Sequence, residues 1–185
     1  MIFIYFIKTK IESLKNKLRV LAFYYFFGNL RLVIGKNLRI RGGKGVHRFG
    51  DNLKLYDNVI IECHSTKAKI ETGKNCILSY GVILSCSNKI LLGNDVWIGE
   101  YCSLRDSTHL FSSELSLSAN KDYSLPIVIG NNVWIGRGSI VLPGTVIGDN
   151  VIIGANSLVK GYCEKDSLYA GSPAKFKKKL NETNI

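Results

Sequence analysis

No apolar run in this chain approaches the roughly 20 residues that a membrane-spanning helix needs. The two longest near the start, MIFIYFI and VLAFYYFF, are separated by the basic stretch KTKIESLKNKLR. No small-residue cleavage site follows either run, which speaks against a secretory leader. Cys-x-x-Cys spacing is also missing, and the five cysteines (Cys63, Cys76, Cys86, Cys102 and Cys163) are odd in number. Neither a disulfide framework nor a structural zinc site is therefore indicated, and the thiols read as small core residues in a reducing compartment. Histidine is scarce: His47, His64 and His109 are the whole set, with no His-x-x-x-x-His pair. A catalytic zinc held by three imidazoles thus lacks local support. No nucleic-acid-binding signature accompanies the net charge of +11. The positive residues sit largely at both ends, with KFKKKL near the last residue, and suit a polyanionic small molecule, an acidic glycan or a membrane surface.

What the chain has instead is a period. From Ile129 the sequence divides into IGNNVW, IGRGSI, VLPGTV, IGDNVI, IGANSL and VKGYCE. Each block opens with Ile or Val (Ile129, Ile135, Val141, Ile147, Ile153, Val159), and the fifth residues are small or β-branched. One apolar residue in six gives no continuous stripe on a helix of 3.6 residues per turn. Short β-segments with a bend after each block fit better, with three blocks making one triangular coil and glycine supplying the positive φ of the corners. Coils then stack at about the 4.7–4.9 Å spacing of neighbouring strands. The phase runs upstream through Leu92, Ile98 and Leu104, through Thr72, Leu78 and Leu84, through Leu55 and Ile61, and opens at Ile34, Ile40 and Val46. About six coils result. One long interruption, residues 110–128 (LFSSELSLSANKDYSLPIV), falls where the next coil should begin, and such excursions from a regular scaffold are commonly functional. The expected organisation is an apolar and basic segment over 1–29, a β-helix over 30–164 carrying the insertion, and a basic closing segment over 165–185.

The closing segment contains Gly171-Ser172-Pro173-Ala174-Lys175. Together with the hexapeptide period, this run resembles the hexapeptide-repeat acyltransferases, closest to bacterial O-acetyltransferases that act on sugars, surface polysaccharides and sialic acids. The resemblance covers roughly residues 30–178. It implies an all-β, left-handed parallel β-helix, whereas parallel crossovers are otherwise right-handed in about 98% of cases. It also implies acetyl-coenzyme A as co-substrate, no metal, and a homotrimer in which coenzyme A lies in a cleft between two subunits.

His109 ends the block LRDSTH at the mouth of the insertion, where the resembling enzymes keep their catalytic histidine. Moving an acetyl group from a thioester to a hydroxyl needs a base for the hydroxyl proton, and imidazole is suited to that near neutral pH. Asp106, three residues earlier, is a candidate to orient the ring or hold the sugar. Trp134 and Trp97 both take the sixth place of their blocks, one coil apart, so their indoles are expected on one outer corner. By resemblance, Trp134 in its Val-Trp-Ile-Gly segment joins His109 in the active centre. Interface packing is the competing reading for an outward tryptophan. Gly136, Gly154 and Ala155 are expected to leave corners open to the pantetheine amides, with Lys160 and Lys175 near the coenzyme's phosphates. Cys102 and Cys163, at inward fifth places, are expected to be inert.

These readings converge on a sugar O-acetyltransferase whose acceptor is a bacterial surface polysaccharide or its precursor. N-acetylation of an aminosugar nucleotide or antibiotic is the alternative, and a catalytically silent β-helical assembly protein is a third. The expected location is cytoplasmic, at the inner membrane surface if residues 1–27 contact lipid rather than only capping the first coil.

Overall fold

The computed structural model describes residues 31–42, 45–110 and 122–180, together with Leu14, Leu18 and Leu21. Among them the chain winds as a parallel β-solenoid with three faces. The first face stacks Leu32–Ile34, Leu53–Leu55, Ile77–Leu78, Val96–Ile98, Val133–Ile135, Ile152–Ile153 and Ser167–Ala170, and ends with Lys175–Lys179 folded back antiparallel. The second and third faces hold six strands each, from Arg39–Gly42 to Leu158–Val159 and from Val46–Arg48 to Tyr162–Cys163. Parallel pairing of strands one coil apart keeps the register of the repeat, so Ile98 lies over Ile135 and Ile135 over Ile153.

The core is the column inside these faces. The block heads Ile129, Ile135, Val141, Ile147, Ile153 and Val159 are at most 2% exposed, as are the fifth residues Val133, Ser139, Thr145, Val151 and Ser157. Each fully buried Ile or Leu contributes roughly 1.5–3 kcal/mol by leaving water. The hydroxyls among them are paired inside the column: Ser157 Oγ donates to Gly154 O at 2.6 Å and Thr145 Oγ1 to Leu142 O at 2.7 Å. All five thiols are free and buried, and burial raises those of Cys102 and Cys163 to about 11, which keeps them protonated and unreactive.

The structure corrects the phase at both ends. Val46 pairs with Lys69 and faces outward, while His47 lies over Ile70 and Phe49 is buried, because the corner after Gly42 is longer than one block allows. Cys163 lies in register with Ile147, a block head and not a fifth place, since the last step from Val159 is shortened. The solenoid also continues past 164, through Ser167–Ala170.

The corners work differently from the expectation. The left-handed residue is the fourth of its block: Asn132, Gly138, Gly144, Asn150 and Asn156 have φ between 54° and 76°. Asparagine tolerates that region, and its amide also ties coils together. Asn132 Nδ2 donates to Asn150 Oδ1 at 2.9 Å, and Asn150 Nδ2 to Asp166 Oδ1 at 2.7 Å. The second-place glycine has another cause, the tightness of the stack. A Cβ on Gly136 would stand 2.6 Å from Ala155 N on the next coil, closer than any carbon can sit.

Most of the segment expected as an N-terminal helix lies outside the described residues. Leu14, Leu18 and Leu21 have helical backbone, share one face by their spacing, and are each more than half exposed. No helix among the described residues is long and apolar enough to cross a membrane.

Candidate active site

The lengthened steps between block heads, 40 to 49, 61 to 72, 84 to 92 and 104 to 129, all fall between the second and third faces. Extra residues therefore pile up along one edge of the prism, the usual place for a binding face in a solenoid. The largest of them leaves the coil as a two-stranded antiparallel arm, Ser107–His109 against Asp122–Ser124. The solenoid resumes at Ile127, which lies over Ile90, so the excursion starts earlier and closes earlier than the 110–128 expected. Residues 111–121, the rest of the insertion, lie outside the described set.

Antiparallel pairing sets His109 directly opposite Asp122, and His109 Nδ1 meets Asp122 Oδ1 at 2.7 Å. A carboxylate can only accept, so Nδ1 carries the proton and Nε2 is the basic nitrogen of the neutral ring. Both side chains are mostly exposed, 77% and 66%, so the pair contributes orientation more than stability. Asp122 was not legible as a partner, because it lies thirteen positions beyond His109 across the insertion and only the arm's register joins them.

Asp106 does not orient that ring. Its carboxylate is fully buried and turns back into the corner, where it accepts from the N–H of Ser87 (2.7 Å), Asn88 (2.8 Å) and Lys89 (2.7 Å), and from the thiol of Cys86 (3.3 Å). Burial, then the nearby Asp106 charge, push the Cys86 thiol up, so it stays protonated and donates. Asp106 thus anchors the turn beneath the arm.

His109 opens onto a recess of about 490 Å³ whose wall also contains His64, Ser87, Arg105, Ser107 and Thr108. His64 comes from an early coil, directly after the strand Ile60–Cys63. The stacked corners bring it to the same recess, where its Nε2 lies 2.9 Å from Ser85 Oγ. His47 is elsewhere, beside Cys63 and Phe49.

A second hollow, about 530 Å³, lies along the first face and its following corner, lined by Trp97, Trp134, Gly136, Arg137, Gly154 and Ala155 among others. The two indoles are paired in register and each is 55% exposed, as the repeat predicts. The glycines do not offer free amides: Gly136 N donates to Ile153 O at 2.7 Å and Gly154 N to Tyr169 O at 2.8 Å. Their contribution to the hollow is its shape, not its hydrogen bonds. Lys160 stands on the corner between the second and third faces and outside both hollows. Lys175 pairs with Ala170, whose Cβ abuts Gly154, and so lies near the end of the groove without lining it. Within one chain, then, His109 and Trp134 line separate hollows at different corners.

Residues 126–161 match the family model described as bacterial transferase hexapeptide (six repeats). Over 153 residues the chain is 32% identical to WbbJ of Escherichia coli, named for O-acetyl transfer in lipopolysaccharide biosynthesis, covering 82% of this chain and 70% of that protein. It spans 56% of the length of the galactoside O-acetyltransferases that it also matches. A maltose O-acetyltransferase structure from Clostridium difficile superposes with a TM-score of 0.60 at 30% identity, over 81% of this chain and 70% of that one. A hexapeptide-repeat acetyltransferase from Vibrio cholerae, solved with acetyl coenzyme A, shares the fold at 23% identity with a TM-score of 0.60, over 83% and 70% of the two chains.

Proposed function

The chain belongs to the hexapeptide-repeat transferase family, and from that membership we propose that it moves an acetyl group from acetyl-coenzyme A to a sugar hydroxyl of a bacterial surface polysaccharide or its precursor. The observation that carries this reading is the His109–Asp122 pair beside a polar recess. Asp122 fixes the ring with Nε2 free to take the acceptor proton. The hydroxyl oxygen bonds to the thioester carbonyl carbon as its proton passes to Nε2. Collapse of the tetrahedral intermediate breaks the C–S bond, and the imidazolium returns the proton to the departing thiolate. Indole or backbone N–H groups would stabilise the oxyanion in between.

The tryptophan-lined hollow suits the pantetheine and adenine portions of the co-substrate: apolar walls, Arg137 on the rim and Lys175 near the end. It reaches the base only if a second copy supplies one of the two hollows, which supports a homotrimer with the site between subunits. The assay is thiol release from acetyl-coenzyme A in the presence of sugars and polysaccharides, with sedimentation run on the same sample. Release of a hydroxylamine-labile ester by a trimer is expected. A hydroxylamine-stable amide would move the reading to amine acceptors. A monomer at assay concentration would remove the shared site, and no co-substrate binding at all would leave a silent assembly protein.

We further propose cytoplasmic work at the inner membrane surface, supported by the exposed Leu14, Leu18 and Leu21 and the basic residues between the apolar runs. The full chain should bind phosphatidylglycerol vesicles at low salt and release them as salt rises. Equal binding after deletion of residues 1–27 would rule this out.

A further inference from the structure

We infer that the acceptor is an anionic sugar, and that Arg105 is the residue that selects it. The inference rests on the acetyltransferase reading above and asks what the recess beside His109 is built to hold.

Arg105 ends the strand Ser103–Arg105 and is exposed in the recess wall. In the early coils, arginines on the outer faces meet carboxylates one coil on: Arg31 with Asp51 at 2.9 Å, Arg41 with Glu62 at 3.9 Å, Arg48 with Glu71 at 4.0 Å. Arg105 has no such neighbour. Its register partner is Ser85, a buried hydroxyl already engaged by His64. The carboxylates of the next residue, Asp106, and of the recess wall, Asp122, have other partners. Asp106 is buried under three backbone N–H groups, and Asp122 is bound to His109 Nδ1. Among the described residues, Arg105 therefore brings to the recess a guanidinium that no carboxylate pairs with, since the recess's own carboxylate, Asp122, is held by His109 Nδ1.

The rest of the wall is hydroxyl, imidazole and the Asp122 carboxylate: Ser87 donates to Ser107 at 3.0 Å, His64 Nε2 lies 2.9 Å from Ser85 Oγ and 3.9 Å from Glu62 Oε2, and Thr108 stands beside them. A recess of this kind favours a ligand that brings paired anionic oxygens to the guanidinium fork and hydroxyls to the remaining wall. A sugar carboxylate fits, and so does the phosphate of a sugar carried on a nucleotide or lipid. Because Arg105 and His109 line one recess, the charged group and the reacting hydroxyl belong to the same or adjacent sugar units.

The test compares acceptors that differ in one group: methyl galactoside, methyl galacturonide and galactose 1-phosphate, and the matching gluco series. Each is assayed by thiol release with the full-length protein and with Arg105→Gln and Arg105→Lys, and acetyl-coenzyme A binding is followed by calorimetry. A charge-assisted contact of this exposure predicts that the wild type prefers an anionic member over its neutral partner roughly tenfold in kcat/KM. That ratio should fall to near one in Arg105→Gln and recover in part in Arg105→Lys. Preference for uronides identifies a sugar carboxylate, and preference for 1-phosphates a carrier phosphate; either supports the inference. Equal or lesser use of the anionic members overturns it, as does an anionic preference untouched by Arg105→Gln. A loss of acetyl-coenzyme A affinity in Arg105→Gln with no change in the acceptor ratio also overturns it, assigning the arginine to the co-substrate. Failure of the acetyltransferase reading looks different: the wild type would then neither bind acetyl-coenzyme A nor release thiol.

Discussion

Replacing His109 with alanine is expected to lower kcat by roughly 10²–10⁴-fold, the span that a positioned general base supplies. The affinity for acetyl-coenzyme A and the oligomeric state should hold, since the ring lines the polar recess and not the tryptophan-lined hollow. Asp122→Asn tests the second half of the arrangement. An amide opposite Nδ1 either offers its oxygen, at weaker attraction, or its N–H₂, which forces the proton to Nε2 and removes the base. A loss of roughly 10–100-fold in kcat, with acceptor KM little changed, is expected for that variant, and Asp122→Glu should restore part of it. Because both side chains are largely exposed, neither substitution should move the melting temperature appreciably. Steady-state kinetics and a thermal melt on the same preparations decide it. Near-normal turnover of His109→Ala would remove the base assignment, and Asp122→Asn kinetics equal to wild type would reduce the 2.7 Å contact to a surface ion pair.

How much of this could be read from the chain depends on the range of the interaction concerned. The column of Ile129, Ile135 and Val141 was legible because one inward residue per six is a local pattern that stacking repeats. The tryptophan pair followed from the same count, and the register joins Trp97 to Trp134. The second-place glycines were visible but their reason was not. Nothing local says that a Cβ at Gly136 would strike the next coil, whereas the need for positive φ at Asn132 and Asn150 is written in the residue type. Asp106 and Asp122 were exchanged for a similar cause. Proximity in sequence favoured Asp106, but a three-residue spacing on strands that turn a corner sends one side chain inward and the other out. The partner that reaches His109 comes across an arm closed by an insertion with no repeat of its own. The recess itself was hidden, although its ingredients were not. Each slip in the period was visible singly, and that all of them fall on one edge follows only when every step is assigned to its face.

That edge is also where the fold is most exposed to a single change, and Asp106→Ala should show it. The substitution leaves the N–H groups of Ser87, Asn88 and Lys89 without their acceptor, and leaves the Cys86 thiol without its carboxylate. An orphaned buried donor costs about 1–3 kcal/mol, and these three are only partly buried, so water recovers some of the loss. A total of about 3 kcal/mol is expected, a large share of the 5–15 kcal/mol typical of a domain. For a chain of this size that corresponds to a fall of roughly 10 °C in melting temperature. Asp106→Asn keeps one accepting oxygen but turns an amide N–H₂ toward donors, and should lie between alanine and wild type. The turn at 87–89 presents Ser87 to the recess beside Ser107, so acceptor KM should rise in both variants before kcat falls. The opposite pattern, an unchanged melt with kcat reduced as in Asp122→Asn, would mean that Asp106 acts on the imidazole after all, and would require the corner to rearrange when the acceptor binds.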